Sequence, residues 1–135
     1  MRQLSLLILA AVLGGGAGRA AKLRDVAGEV DITPPVGTLM WGYSARGGPA
    51  TGTLDPLMAR VLLLEAGNRR VAIVTLDLGR TFGERAIQKL RDEAKRSSNV
   101  DYIFVAASHT HAGPVILDEY PGAPPAWESQ ALGRI

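Results

Sequence analysis

Apolar residues follow two rhythms along this chain, and the switch between them marks its elements. Ala27–Thr33 alternates weakly and reads as a first strand, stopped by Pro34-Pro35. Met58–Glu65 (MARVLLLE) and Arg70–Asp77 (RVAIVTLD) are apolar runs joined through Gly67-Asn68, the signature of an antiparallel hairpin. The second run is apolar throughout its middle, as expected of a strand covered on both faces. The period then changes. Phe82, Ala86, Ile87, Leu90 and Ala94 recur at helical spacing, so the pattern predicts an amphipathic helix over Thr81–Arg96. Thr81 offers an N-cap hydroxyl with Glu84 three residues on, a capping box, and Ser97–Asn99 ends the helix. Asp101–Ala107 (DYIFVAA) returns as another buried-type strand.

Strand, helix and strand within some forty residues form a βαβ unit with parallel strands. The expected fold class is therefore α/β: a mixed sheet in which a β-hairpin is followed by a βαβ unit. Between the first strand and the hairpin, Val36–Asp55 is rich in Gly and Pro with scattered aromatics and reads as a long functional or mobile loop. Pro114–Pro125 is also loop, and Trp127–Ile135 opens a helical pattern with Trp127, Leu132 and Ile135 apolar. A helix there has neither a C-cap nor a strand to return to, so the sequence reads as a partial domain of a larger protein.

Length, 135 residues, suits one modest domain, and 47% hydrophobic with 21% charged residues excludes wholesale disorder. The amino terminus changes the picture of charge. Arg2, the apolar Leu4–Leu13 and the break at Gly14–Gly18 read as a signal peptide over residues 1–20, leaving residues 21–135 as the mature chain, exported to the periplasm or secreted. The apolar stretch is about half the roughly 20 residues a spanning helix needs, so no integral membrane span is expected after cleavage. Without Arg2 and Arg19 the formal charge falls from +2 to 13 basic against 13 acidic residues. No basic stripe with interleaved aromatics remains, so nucleic acid is not an expected partner. The absence of cysteine removes disulfides, thiolate metal sites and a cysteine nucleophile.

Candidate chemistry concentrates in Ser108-His109-Thr110-His111-Ala112-Gly113-Pro114, which holds the chain's only two histidines. Residues i and i+2 share a side of an extended segment, so two imidazoles can converge just past a strand end. Neutral imidazole ligates zinc, and a second imidazole can donate to a developing oxyanion. The alternative is a pair of surface histidines without chemistry. Asp77 and His109 stand at the carboxyl ends of the two parallel strands, where ligands gather in open α/β sheets.

Taken in order, Val30-Asp31-Ile32-Thr33-Pro34-Pro35 with Gly42-Tyr43, Asp55-Pro56-Leu57 leading into Ala59-Arg60, Val74-Thr75-Leu76-Asp77, and Ser108-His109-Thr110-His111-x-Gly113-Pro114 resemble the amino-terminal region of the neutral/alkaline (non-lysosomal) ceramidase family. The likeness covers about Val26 to Pro114. It implies an exported hydrolase that cleaves the amide of an N-acyl sphingoid lipid with zinc as cofactor. His109 then matches a zinc ligand and His111 an active-site residue that assists at the substrate or oxyanion. The family's other ligands, a histidine, a glutamate and a tyrosine, come from much later in a longer chain. Ala112 stands where the best-known members have serine.

Other residues carry open readings. Asp77 either orients a ligating imidazole or caps the following turn. Asp55 before Pro56 reads as a turn former rather than a ligand, and Asp31 as a bond to the backbone at the Pro-Pro bend. Arg46 in the glycine-rich loop reads as solvated, with contact to an anionic group as the alternative, and Tyr120 does not match the family's tyrosine ligand. Trp41 and Tyr43 suit an apolar entrance or the core. Two further functions compete with a ceramidase-like amidohydrolase: a related exported hydrolase of another amide or ester, and a non-catalytic exported binding module. The sequence does not indicate an oligomeric state.

Overall fold

The computed structural model describes residues 21–135; the expected signal peptide lies outside the described residues. The chain forms four strands and two helices: β1 (Leu23–Asp31), β2 (Met58–Ala66), β3 (Arg69–Leu76), α1 (Glu84–Ser98), β4 (Tyr102–Ala107) and α2 (Ala126–Arg134). The sheet order is β1-β2-β3-β4. β1 pairs antiparallel with β2, and β2 antiparallel with β3 through a turn closed by Ala66 opposite Arg69, where Gly67 adopts φ +62°. β3 and β4 are parallel, Val71 opposite Tyr102 through Leu76 opposite Ala107. The fold is the mixed α/β sheet that the apolar runs predict, with the hairpin beside the βαβ unit.

Alternation decides which side chains form the core. Val30, Ala59, Leu76 and, one pair along, Val61, Val74 and Val105 share one face. Against that face pack Ile87, Phe82, Leu78, Ile116, Trp127 and Ala131. Phe82 and Trp127 lie 6.1 Å apart between ring centroids, tying the segment before α1 to α2. Each such large residue contributes on the order of 3 kcal/mol by leaving water.

Three expectations about elements are corrected. The first strand starts at Leu23, not Ala27, and ends at Asp31. It is an exposed edge strand, so its own alternation is weak, and its length follows the residues that β2 offers for pairing. Next, Thr81 does not cap α1. The helix begins at Glu84 with Gly83 at the N-cap and no side-chain cap bond. Gly83 sits so close to the Asp118 carbonyl that a Cβ there would overlap it. Packing of this corner against residues 116–118 therefore sets the helix start. At the other end Asn99 turns left-handed (φ 51°), and the Val100 N–H donates to the Ala94 carbonyl.

Finally, β3 and β4 are not covered on both faces. Ile73 is 38% exposed, and Tyr102 and Phe104, in register on the same face, are 61% and 64% exposed. The runs are apolar on both faces, yet α1 and α2 cover only one. Among the described residues no helix is long and apolar enough to cross a membrane.

Candidate active site

β4 ends at Ala107, and the chain beyond it does not stay extended. The Ser108 N–H still donates to the Leu76 carbonyl (2.9 Å), prolonging the β3–β4 ladder by one step. His109 then adopts φ +61°, one of two non-glycine residues in the left-handed region among the described residues. That conformation costs on the order of 1 kcal/mol and persists only where the surroundings impose it. Here the surroundings are identifiable. His109 Nδ1 lies 2.9 Å from the Gly79 carbonyl oxygen, an acceptor, so Nδ1 carries the proton. A neutral imidazole protonated at Nδ1 presents a free lone pair at Nε2, the arrangement that a backbone carbonyl commonly imposes on a metal-binding histidine.

The kink still brings the two histidines together. Their ring centroids are 5.4 Å apart at 67°, so the convergence expected from i, i+2 spacing is realised by a left-handed residue and not by a regular strand. Trp41 stands edge-on to both, at 4.9 Å from His109 and 4.8 Å from His111, and Tyr43 meets His111 at 5.1 Å. Trp41 and Tyr43 thus stand against the histidines and not in the core cluster.

Backbone pairing holds this arrangement. The Trp41 N–H donates to the Gly113 carbonyl and the Val115 N–H to the Leu39 carbonyl, flanking a bridge between Met40 and Pro114. The loop over residues 36–55 is therefore pinned, where it meets the histidines, to the segment that carries them. Two glycines permit the approach. At Gly42 (φ +107°) a Cβ would lie 2.6 Å from the His111 Cβ, and at Gly79 it would overlap the Trp41 ring.

Asp77 belongs elsewhere. Its Oδ2 accepts the Met58 N–H (3.2 Å) and Arg60 Nη1 (2.9 Å) and bonds neither histidine. Both earlier readings, imidazole orienter and cap of the following turn, give way to a clamp across the start of β2. Asp31 does as expected, accepting the Thr33 N–H at 2.7 Å; hydrogen bonding from the Thr33 side chain, and then from this N–H, lowers its carboxyl below the usual range. Asp55 is exposed. Tyr120 donates to Glu128 and accepts the Leu117 N–H, so its hydroxyl serves the α2 corner. Arg46 is not simply solvated: it is half-buried and donates to the carbonyls of Trp41 and His111.

A cavity of about 510 Å³ lies beside the same segment, lined among others by Thr33, Leu54, Asp77, Ser108, Thr110 and Ala112. It lies on the alternate residues of the histidine segment, and neither imidazole lines it. The His109–His111 pair is the chemically equipped side. As to zinc, His109 fits as one ligand through Nε2; among the described residues no group of three or more His, Cys, Asp or Glu side chains gathers around it. Sequence reasoning missed Gly79, because a carbonyl acceptor leaves no trace in residue type. It also missed Glu128, which is buried with its carboxyl pushed up chiefly by that burial.

Comparison with solved structures bears on the fold. The chain is similar to the neutral ceramidase from Pseudomonas aeruginosa (TM-score 0.60, 29% identity over 70% of this chain) and to a ceramidase complexed with C2 (TM-score 0.61, 29% identity over 70%). The fold is ceramidase-like. The matched region is 16% of either ceramidase chain, so this chain corresponds to a small part of those enzymes. No family model matches it.

Proposed function

We propose that this chain supplies one corner of the active site of an exported, zinc-dependent amidohydrolase that cleaves the N-acyl amide of ceramide-like lipids into a sphingoid base and a fatty acid. The observation that carries the proposal is His109: a left-handed backbone and an Nδ1 proton committed to the Gly79 carbonyl leave Nε2 free beside a second imidazole. The likeness to ceramidases supports the substrate class.

Zinc, when bound, supplies Lewis acidity and makes water a nucleophile at neutral pH. His109 would be one of its ligands; among the described residues no set of three ligands gathers, so the proposal requires further ligands from elsewhere. The Gly79 carbonyl keeps His109 in the ligating tautomer and limits rotation of its ring. His111 is near enough to His109 to serve the same small group. It donates a hydrogen bond to the substrate carbonyl oxygen as negative charge gathers there, an interaction stronger in the transition state than in the ground state. Trp41 and Tyr43 keep water from the flanks of both rings and offer apolar surface to an acyl chain. Export rests on the apolar Leu4–Leu13 stretch with its glycine break.

The test is fatty-acid release by the full-length protein from an N-acyl sphingoid lipid and from the matching O-acyl ester, alongside its zinc content after dialysis. Near-stoichiometric zinc with amide cleavage is expected. Ester cleavage alone would assign a related hydrolase, and lipid binding without zinc or turnover a non-catalytic module.

A further inference from the structure

Arg46 sits 65 residues before His111, yet its guanidinium joins the two segments that build the site. Nη1 donates to the Trp41 carbonyl and Nη2 to the His111 carbonyl, both at 2.9 Å. The Arg46 N–H donates to the Tyr43 carbonyl (3.1 Å), a tight turn that returns the side chain beneath its own loop. On the way the guanidinium carbon passes 5.1 Å from the Tyr43 ring centroid. One planar group therefore fixes the backbone of Trp41 and of His111 and contacts Tyr43, and the rings of Trp41 and Tyr43 are those that face the His111 imidazole.

We propose that Arg46 is the positioning residue for His111: its guanidinium bridges the Trp41 and His111 carbonyls and so fixes the direction of the imidazole between Trp41 and Tyr43. The proposal rests on the reading that His111 acts on the substrate. Two features argue that the bridge is specific. Lysine has one ammonium and cannot span two carbonyls in a fixed plane, whereas the guanidinium fork can. In addition, Gly42 lets His111 pack directly on the loop backbone, since any Cβ there would stand 2.6 Å from the His111 Cβ. With that contact so close, a shift of the loop is passed on to the ring.

The experiment compares Arg46→Lys and Arg46→Met in the full-length protein. It follows the His111 ring resonances in protein carrying labelled histidine, assigned through His111→Gln, with the indole signals of Trp41 and Trp127. Steady-state hydrolysis of an N-acyl sphingoid lipid and zinc content are measured on the same samples. Both variants are expected to move the His111 and Trp41 signals, leave Trp127 in place and retain zinc. They should lower kcat by roughly ten- to a hundredfold with KM within about twofold, the scale of a misplaced catalytic group. Lysine should not rescue. His111 signals that stay unchanged in both variants, or Trp127 signals that move as far as those of His111, overturn the proposal. If the wild-type protein shows no turnover, the amidohydrolase reading falls, while the His111 and Trp41 signals still decide whether Arg46 sets the ring.

Discussion

Asp77 and His109 stand within two residues of the carboxyl ends of the neighbouring parallel strands β3 and β4, and they do opposite things. Asp77 spends its carboxylate inside the fold, on the Met58 N–H and the Arg60 guanidinium. His109 spends one ring nitrogen on the Gly79 carbonyl and keeps the other free, on an exposed residue in a left-handed conformation. A strand end in an α/β sheet thus offers a position for chemistry. What decides the role is how much bonding capacity the fold leaves over. The cost of the His109 backbone points the same way, because nothing in the sheet ladder needs it.

The largest expected effect is at His109. In the full-length protein His109→Ala should abolish both bound zinc and amide hydrolysis, measured by metal analysis after dialysis and by fatty-acid release. Normal zinc and turnover in that variant would reduce the pair to surface histidines and erase the contrast with Asp77. His111→Ala should keep much of the zinc and lose on the order of 10² to 10³ in kcat, the usual loss for a transition-state donor. That division between metal retention and rate separates the two imidazoles, which the sequence alone assigns only by resemblance.

Asp77→Ala should leave zinc content unchanged and lower stability by about 1–2 kcal/mol in denaturant unfolding. Most of that loss comes from the Met58 N–H, because the Arg60 pair is half-exposed and screened. A loss of zinc in Asp77→Ala would place Asp77 in the site after all.

Glu128 sharpens the comparison from the other side, as a carboxyl whose surroundings oppose its charge. Burial pushes it up, and the hydroxyl of Tyr120 pulls it part of the way back. A folded-state pKa above the unfolded value means that this group's contribution is complete below the unfolded pKa and is lost as pH rises through the folded one. Glu128→Gln keeps an acceptor for Tyr120 and removes the titration. The melting temperature of the wild type should therefore fall by about 2–5 °C relative to the variant as pH rises from roughly 4 to 7. Parallel melting profiles across that range would show that the buried carboxyl carries no penalty.

By itself the sequence determined the mixed sheet, the hairpin turn at Gly67-Asn68 and the parallel βαβ pairing. These follow from period and spacing, which act between near neighbours: a two-residue side-chain alternation, a 3.6-residue helical repeat, a glycine where φ must be positive. The same reading also placed Asp31 on the backbone at the Pro-Pro bend. Where it failed, the deciding partner was distant in sequence. The start of α1 was moved from Thr81 to Glu84 by the Asp118 backbone against Gly83. Phe104 and Tyr102 face outward because the helices lie on the other side of the sheet, a choice that an apolar run does not record. Tertiary structure alone decided that Gly79 holds His109, that Arg46 holds His111 and that Asp77 holds β2. Two of those three bonds end on carbonyl oxygens, which every residue possesses, so only the folded chain can say which carbonyl meets which side chain.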